Sequence, residues 1–466
     1  MRDLASTTAA GATGWAERRL GIELASSPGP LGLRLDDLVS LAVRRNPRRA
    51  HLLVSTVLGK HRPTDPDVVR GAALLLGRLV ARALGAPEGD AVLEASGARL
   101  LRALRGEPGA AADTVTAPSV DQSHDLLVIG YAETATALGQ TVADALDADY
   151  LSSTRRDLPS AVAGAGFEEE HSHATSHRLL PDRAELLEAG TVVLVDDELT
   201  TGTTVLNTVA MLERIRSGRR YVVATLVDLR PPGDAGRLLA AAAELGVDLR
   251  VVALASGAVR VPEDVLARAA ALQAEPAVPP QRNPAAHGVE WAGVEWIEGA
   301  WPRDARHHGR HGYRRTDRQR FESALAALAG SVADRVPEGR IHVLGTEELM
   351  YLPQALAGRL GALLPDAALT SSATTRSPVV VVDDPAYPIR SRVVFAAHDD
   401  PDDGPGERFA YNLGAAGRFD TIVVVVDERG RTPQLTGAGG LLPQLTALAA
   451  RVLVAVVPDG TPEATA

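Results

Sequence analysis

The chain of 466 residues contains no cysteine, only 3% aromatic residues and a single lysine beside 47 arginines. The absence of cysteine excludes disulfide bonds, thiolate nucleophiles, iron–sulfur clusters and cysteine-ligated zinc. No apolar run reaches the roughly 18 residues that a membrane span needs, and the first residues show no apolar core of a secretory signal. The net charge of −11 disfavours sequence-independent binding of nucleic acid. We therefore expect a cytoplasmic protein with neither nucleic acid nor a membrane as partner.

The single lysine, Lys60, follows a β-branched apolar segment that predicts a buried strand. Arginine replaces lysine almost everywhere else in the chain, so Lys60 could mark a place where only an ammonium serves. A compact ammonium differs from a planar guanidinium in size, hydration and donor geometry. The alternative is that one lysine survived by chance.

Chain length favours two or three domains. From residue 124 onward, strands and helices alternate, which predicts α/β domains with a parallel sheet and right-handed crossovers. A proline-rich stretch reads as a linker between two such domains. The predicted order is a disordered N-terminus (1–25), a first domain (26–273, core 119–273), a linker (274–289) and a second α/β domain (290–460).

Three local patterns lie before the first core strand. Apolar spacing predicts a short helix over 34–45 and a longer helix that Asp65 caps and Gly85 ends. Glycine, proline and hydroxyl residues predict a loop over 106–122.

The most informative motif joins a buried strand, two carboxylates and a turn that opens a helix. The strand ends in Asp196 and Asp197. Ligands of open α/β sheets bind at the carboxyl ends of strands, and a helix N-terminus favours a phosphate. Gly202 lets the backbone approach closely, while the acid pair suits ribose hydroxyls or a hydrated metal ion. The alternative is an ordinary acidic loop with a threonine cap. The turn consists of Thr200, Thr201, Gly202, Thr203 and Thr204.

This motif resembles the phosphoribosyl-pyrophosphate (PRPP) signature of the type I phosphoribosyltransferases. The resemblance implies that Asp196 and Asp197 hold the ribose hydroxyls and that residues 200–204 wrap the 5′-phosphate. Thr200 stands where purine-salvage members carry an aspartate, as in orotate-type members, which disfavours 6-oxopurine salvage.

The family also has a pyrophosphate loop after its first core strand, and residues 130–134 take that place. Their backbone amides can form an anion-binding nest. Glu133 is unusual beside a pyrophosphate. It could reach Mg²⁺ through water, bind the acceptor, or cap the following helix. The loop consists of Gly130, Tyr131, Ala132, Glu133 and Thr134.

Residues 151–182 correspond to the mobile hood of the family. Arg155 and Arg156 are natural partners for a pyrophosphate. His171 and His173 lie among glutamates. They could act as general acid or base or stabilise the leaving group, belong to a solvated loop, or form a metal site that lacks a clear third ligand.

A narrower resemblance rests on the order of five segments: VSTVLGKH, GYAETATALG, SSTRR, FEEEHSHA and VDDELTTGTT. This order looks like the phosphoribosyltransferase of bacterial tellurium-resistance and stress clusters. Thr375-Arg376-Ser377-Pro378 is the tetrapeptide that names the TRSP domain, which follows the transferase in that family. The resemblance spans roughly residues 20–460. It implies an orotate-phosphoribosyltransferase-like fold with a hood, a TRSP domain and a biosynthetic role.

The second half repeats motifs of the first in the same order, which predicts a degenerate copy of the same fold. Asp427 and Glu428 keep an acidic pair after a strand, whereas Pro433 removes an N–H donor from the phosphate turn. Glu347, Glu348 and Arg376 could line a different pocket or serve as caps and surface residues. The alternative is that two α/β domains share strand-then-helix order by chance. We expect one PRPP site per chain.

The expected activity is transfer of phosphoribosyl from PRPP to a base-like acceptor, with release of pyrophosphate. Mg²⁺ is expected through PRPP and water, without protein ligands, and Lys60, Arg155 and Arg156 would support the leaving group. The partners would be PRPP and a small acceptor, and a homodimer is compatible with the sequence. The alternative function is a non-catalytic PRPP or nucleotide sensor. Residues 303–315, rich in Arg and His, read best as a solvated connector rather than a phosphate or metal site.

Overall fold

The computed structural model describes residues 14–46, 49–114, 125–156, 165–168, 176–274, 293–398, 406–415 and 417–460. The helices are α1 (Trp15–Leu20), α2 (Leu35–Leu38), α3 (Pro66–Ala83), α4 (Asp90–Leu104), α5 (Ala110–Thr114), α6 (Thr136–Leu146), α7 (Thr203–Ile215), α8 (Pro232–Glu244), α9 (Val265–Ala274), α10 (Arg318–Ala333), α11 (Tyr351–Leu363), α12 (Pro433–Thr436) and α13 (Leu441–Leu445).

The strands follow the same chain order. They are β1 (Glu23–Ser27), β2 (Val39–Val43), β3 (His51–Ser55), β4 (Leu126–Gly130), β5 (Asp149–Ser152), β6 (Ala165–Glu168), β7 (Ser176–Leu179), β8 (Thr191–Leu199), β9 (Arg220–Asp228), β10 (Asp248–Arg260), β11 (Val294–Ile297), β12 (Arg340–Gly345), β13 (Ala368–Ala373), β14 (Arg392–Ala396), β15 (Glu407–Tyr411), β16 (Phe419–Asp427) and β17 (Ala449–Val457).

The first domain is built on a six-stranded sheet in the order β1-β10-β9-β8-β4-β5. All neighbouring strands are parallel except β1, which pairs antiparallel with β10 at the edge. Strands β4, β8 and β9 are continuous apolar runs because helices cover both faces. Helices α3 and α6 pack on one face, and α7 and α8 supply the core of the other. The predicted parallel sheet is confirmed.

The second domain has a five-stranded sheet in the order β11-β17-β16-β12-β13, with all pairs parallel. Strands β13, β12, β16 and β17 have the same spatial order as β5, β4, β8 and β9. The outer place that β10 takes in the first sheet belongs to β11, which comes earlier in the chain. The second α/β domain is therefore present, and its strand order agrees with the predicted internal repeat.

The loops after β4 and β12 repeat one hydrogen bond in detail. In the first domain, the amide of Ala132 donates to Oγ of Ser153 at 2.8 Å. In the second, the amide of Glu347 donates to Oγ1 of Thr374 at 3.0 Å. Each sheet also carries a two-stranded hairpin, β6–β7 or β14–β15, bridged to the segment that follows its edge strand. The repeat thus extends from the sheet to the loops.

The two domains share one hydrophobic core, to which α3, α6 and α11 all contribute. Helix α11 of the second domain packs against both α3 and α6 of the first. The loops after β4 and β12 consequently lie close to each other. No helix in the described part of the chain is long and apolar enough to span a membrane.

The chain before the first core strand differs from expectation in several places. Residues 34–45 form the short α2 followed by β2, because Val39–Val43 pairs with β3 as an antiparallel hairpin. Of the predicted disordered N-terminus, α1 and most of β1 are ordered, and β1 extends the first sheet. Helix α5 lies within the predicted loop. Helix α3 begins and ends as predicted: Asp65 accepts from the amide of Asp67 at 2.9 Å, and Gly85 has a φ of 106°.

The predicted solvated connector is instead a buried segment, residues 307–315, that covers the edge of the first sheet. Tyr313 and Tyr150 exchange two backbone hydrogen bonds of 2.7 Å. The ring of His307 is 1% exposed, and its Nε2–H donates to the carbonyl of Pro458 at 2.6 Å. On the other side, His311 bonds the carbonyl of Leu180. The prediction was wrong because backbone pairing buries a segment whose composition is polar.

Candidate functional site

Two carboxylates stand at the carboxyl end of β8, near the middle of the first sheet. The amide of Asp197 donates to Oδ1 of Asp196 at 2.9 Å. Burial, together with the neighbouring Asp197, raises the pKa of Asp196 well above its usual range. Within the described residues neither carboxylate has a salt bridge, whereas the next residue, Glu198, is paired with Arg49 at 2.8 Å. Asp196 and Asp197 therefore form an acidic edge that lacks a counterion.

The turn after these carboxylates leads directly into α7. Gly202 is the N-cap of α7 and has a φ of 82°, a left-handed conformation that favours glycine. A Cβ atom there would lie 3.3 Å from Cδ1 of Leu238. The hydroxyls of Thr201 and Thr203 are 3.1 Å apart, and both residues are exposed. The turn thus presents hydroxyls and a helix N-terminus on the same edge as the acid pair.

The loop after β4 lies beside this edge, because β4 and β8 are neighbours. The amide of Tyr131 donates to the carbonyl of Val195 at 3.1 Å, and the amide of Ala132 is bound to Ser153. Two of the predicted anion donors are therefore already used. Among the described residues, the amides of Glu133 and Thr134 have no acceptor, so the nest is narrower than predicted.

The side chain of Tyr131 belongs to the core. Its hydroxyl donates to Oγ1 of Thr208 on α7 at 2.8 Å, and the residue is 3% exposed. Gly130 is equally confined, since a Cβ there would lie 2.6 Å from the carbonyl oxygen of Ala135. Tyr131 and Gly130 therefore determine the shape of the loop through buried contacts.

Lys60 lies against the same loop. Its Nζ is 2.8 Å from Oε1 of Glu133 and donates to Oγ1 of Thr134 at 3.1 Å. Burial alone would raise the pKa of Glu133, but Lys60 and Arg155 lower it to about 2. Glu133 is thus a buried anion paired with Lys60. It does not cap α6, whose N-cap residue, Ala135, has no side-chain cap.

The guanidinium groups of the two predicted pyrophosphate arginines interact with different domains. That of Arg155 is close enough to lower the pKa of Glu133 in the first domain, while its backbone amide donates to Oε1 of Glu348. Arg156 is buried, and its Nη1 is 3.1 Å from Oδ2 of Asp427 in the second domain. This ion pair links the guanidinium of Arg156 to the second domain, and its role at the pyrophosphate stays a prediction.

His171 and His173 lie outside the described residues. Across the described ranges, no group of three or more histidine, aspartate or glutamate side chains could hold a metal ion. The acid pair therefore offers oxygen ligands for a cation that also binds a ligand, rather than a closed metal site.

The corresponding positions of the second domain are filled by the chain's own cations. By strand register, Asp427 and Glu428 correspond to Asp197 and Glu198, and Val426 replaces the first acid. Burial would raise the pKa of Asp427, but Arg156 and Arg310 lower it.

In the loop after β12, the carboxylate of Glu347 is likewise paired with arginines of the chain. Oε2 of Glu347 is 2.6 Å from Nε of Arg376, the arginine of the TRSP tetrapeptide, and Glu347 also pairs with Arg408. From the sequence, Glu347 and Glu348 were candidates for lining a different pocket or for cap and surface roles. Their partners lie far along the chain, so no local signal identified them.

Two family models match the chain. Residues 38–258 match a model described as phosphoribosyl transferase, and residues 307–445 match one described as the TRSP domain C-terminal to it. The chain therefore belongs to the phosphoribosyltransferases that carry a C-terminal TRSP domain, which are enzymes of the glycosyltransferase class. The predicted family and fold class are confirmed.

Similar solved structures include three adenine phosphoribosyltransferases. That of Rhodothermus marinus is 22% identical over 28% of this chain and 68% of its own, with a TM-score of 0.20. That of Thermoanaerobacter pseudethanolicus is 20% identical over 30% and 74%, with a TM-score of 0.20. That of Giardia lamblia, complexed with 9-deazaadenine, is 19% identical over 33% and 83%, with a TM-score of 0.20. A search of curated proteins found no match.

Proposed function

We propose that the chain transfers the 5-phosphoribosyl group of PRPP to a base-like small-molecule acceptor and releases pyrophosphate. The observation that carries this proposal is the acid pair Asp196–Asp197 beside the turn at Gly202. Two carboxylates without a counterion among the described residues and a helix N-terminus on one edge fit a ribose 5-phosphate, whose hydroxyls and phosphate need these two kinds of partner.

In this proposal, residues 200–204 bind the 5′-phosphate through hydroxyl and backbone N–H groups. Asp196 and Asp197 accept hydrogen bonds from the ribose hydroxyls. Their oxygens also suit Mg²⁺, a hard cation that prefers carboxylate and water ligands. Mg²⁺ bound with PRPP would neutralise charge on the pyrophosphate.

The leaving-group end is formed by Lys60, Arg155 and the amides of Glu133 and Thr134. An ammonium has three N–H donors, and Glu133 and Thr134 use two of those on Lys60. The third remains for an oxygen of the pyrophosphate. We also retain His171 and His173 as candidates for acid or base catalysis.

Breaking the bond from C1 of the ribose to the pyrophosphate oxygen leaves an oxocarbenium-like ribose. The acceptor's ring nitrogen then bonds to C1, and its proton passes to a base or to water. Catalysis consists mainly of placing both reactants and stabilising the developing charges. The hood would exclude water, which otherwise competes with the acceptor.

The resemblance to stress-cluster enzymes leads us to propose a nucleotide-like metabolite linked to tellurium resistance as the product. We propose a cytoplasmic location, PRPP and a small acceptor as partners, a homodimer as the form to test, and domains at 26–273 and 290–460. The second candidate function is a non-catalytic PRPP sensor. This alternative is favoured because three groups expected at the pyrophosphate are already bound within the protein. They are the guanidinium of Arg156 and the backbone amides of Tyr131 and Ala132.

The test is calorimetry of the full chain with PRPP and Mg²⁺, followed by assays of pyrophosphate release with a panel of bases. We expect one PRPP per chain and release of pyrophosphate with at least one base. PRPP binding without release for any base would favour the sensor. Failure to bind PRPP would contradict both.

A further inference from the structure

The second domain holds both segments that bring a cation to the pyrophosphate end of the first site. One segment is the Lys60 loop (58–64), and the other is the Arg155 turn (153–156). Each receives side-chain or backbone hydrogen bonds from residues beyond 345. The first domain alone therefore lacks the contacts that hold the backbone of these two segments.

The Arg155 turn is held by one carboxylate, that of Glu348 in the loop after β12. Oε1 of Glu348 accepts from the backbone amide of Arg155 at 2.8 Å, and Oε2 accepts from Oγ1 of Thr154 at 2.8 Å. The carbonyl of Glu348 accepts from the hydroxyl of Thr136 at 3.0 Å. Three groups around the loop after β4 are thus bound to one residue of the other domain.

The Lys60 loop is held by different residues. Nε2 of Gln354 donates to the carbonyl of Leu58 at 3.0 Å, and Nδ2 of Asn412 donates to that of His61 at 2.9 Å. Within the loop, Lys60 itself contacts only first-domain residues in the described part of the chain. Glu348 can therefore be altered without touching the contacts of Lys60.

The carboxylate of Glu348 is buried among hydrogen-bond donors and beside one guanidinium. The residue is 7% exposed, and Nη2 of Arg310 lies 3.4 Å from its Oε2. Each carboxylate oxygen has one donor from the Arg155 turn. A glutamine is uncharged and accepts through only one of its two terminal atoms. It would keep nearly the same shape but lose the charge assistance of both contacts, and it could keep the bond from the amide of Arg155 only if the bond to Oγ1 of Thr154 reversed direction.

We propose that Glu348 is a positioning residue for the transfer reaction: it fixes the Arg155 turn so that Arg155 meets the pyrophosphate of PRPP. This inference rests on the proposed function and extends it, because it makes the second domain part of the first site. Glu348 acts through Arg155 and does not itself touch PRPP. The 5′-phosphate turn and the acid pair are independent of it.

The test compares two ligands in the full-length chain by calorimetry: PRPP with Mg²⁺, and ribose 5-phosphate, which lacks the pyrophosphate. In E348Q, we expect PRPP to bind about tenfold more weakly, the effect of losing one charge-assisted hydrogen bond. Ribose 5-phosphate should change by less than about twofold. The matched control is E428Q, the same substitution at an exposed residue of the second domain paired with Arg303. It should change neither affinity.

A second measurement needs no ligand. Amide hydrogen exchange at Arg155 should accelerate in E348Q, because that amide loses its acceptor or shares a weaker one, whereas E428Q should leave it unchanged. If E348Q folds poorly, the pair E348Q/R310Q removes the buried cation that the single change leaves behind. In this double variant we again expect weaker binding of PRPP and nearly unchanged binding of ribose 5-phosphate.

Each outcome decides the inference. Equal loss of affinity for PRPP and ribose 5-phosphate would assign Glu348 a purely structural role and overturn it, as would unchanged affinities. Failure of the unaltered chain to bind PRPP would overturn the proposed function and the inference built on it. In that case, hydrogen exchange at Arg155 would still show whether Glu348 holds the turn.

Discussion

The strand ends of β8 and β16 are equivalent in topology and opposite in electrostatics. At β8, Asp196 and Asp197 have no salt bridge within the described residues, and the pKa of Asp196 is raised by burial and by its neighbour. At β16, Asp427 is paired with Arg156, and its pKa is lowered. Among the described residues, the carboxylates of the first edge have no cationic partner, whereas that of the second edge is paired with an arginine.

The comparison shows how one fold supports two different tasks. The second domain keeps the strands, the loop geometry and an acid, but its acids are paired with arginines of the chain. It also replaces the glycine turn by a segment with Pro433, which has no N–H to offer a phosphate. Side chains at the loop and strand end of the second domain instead make interdomain contacts with the first.

The largest expected effect is an opposite change in stability at the two strand ends. D427N leaves the buried guanidinium of Arg156 without its carboxylate, so we expect the free energy of unfolding to fall by about 3 kcal/mol. D196N removes a carboxylate with a raised pKa, so unfolding should cost about 1 kcal/mol more than in the unaltered chain. Urea denaturation at pH 7 measures both.

The same pair of variants separates the functions of the two edges. D196N should abolish PRPP binding, whereas D427N should still bind one PRPP per folded chain, though more weakly if the Arg155 turn loosens. Two PRPP per chain, with one lost in D427N, would show that the second edge is a working site and would contradict the comparison.

The next largest effect concerns Gly202. G202V forces a β-branched residue to a φ of 82° and places its Cβ against Leu238. We expect ribose 5-phosphate binding to be lost and the free energy of unfolding to fall by about 2 kcal/mol. Gly218, beyond the other end of α7, has a φ of 76° and open space around it, so G218V is the matched control. Normal ribose 5-phosphate affinity in G202V would remove the assigned phosphate turn.

The smallest effect is a pH dependence of stability that comes from His307 in the buried segment 307–315. Burial lowers the pKa of His307 to about 4, so folding favours the neutral ring. Below about pH 6.5 the unfolded chain binds more protons, and stability is lost progressively as the pH falls toward 4. Relative to pH 7.5, we expect His307 to cost about 1 kcal/mol at pH 5.5. The difference between the unaltered chain and H307N, measured by denaturation at both values, isolates this residue. An equal pH dependence in both chains would contradict it.

Sequence reasoning succeeded where structure is local. The strand, acid pair and turn over 191–204 follow one another within one β–α unit, so their spacing alone predicted their arrangement. The cap of α3 by Asp65 is local in the same way. Patterns of this kind depend on a few neighbouring residues, so they can be predicted without knowledge of the rest of the fold.

The contacts that the sequence could not indicate are those whose partner is distant along the chain. Arg156 pairs with a residue 271 positions away, and Glu348 reaches back 194 positions to Thr154. The histidine-rich segment 307–315 looked solvated because its burial depends on pairing with β5. Composition cannot indicate which distant backbone or charge will cover a polar segment.

Lys60 allows the leaving-group end of the site to be labelled selectively. The chain has one side-chain amine, and in the folded protein it is 6% exposed and bound to Glu133 and Thr134. Amine-directed acylation would therefore modify only this side chain, at a rate set by how often the loop releases it. Mass spectrometry of the labelled chain would then report, from a single lysine, how the leaving-group end opens and closes.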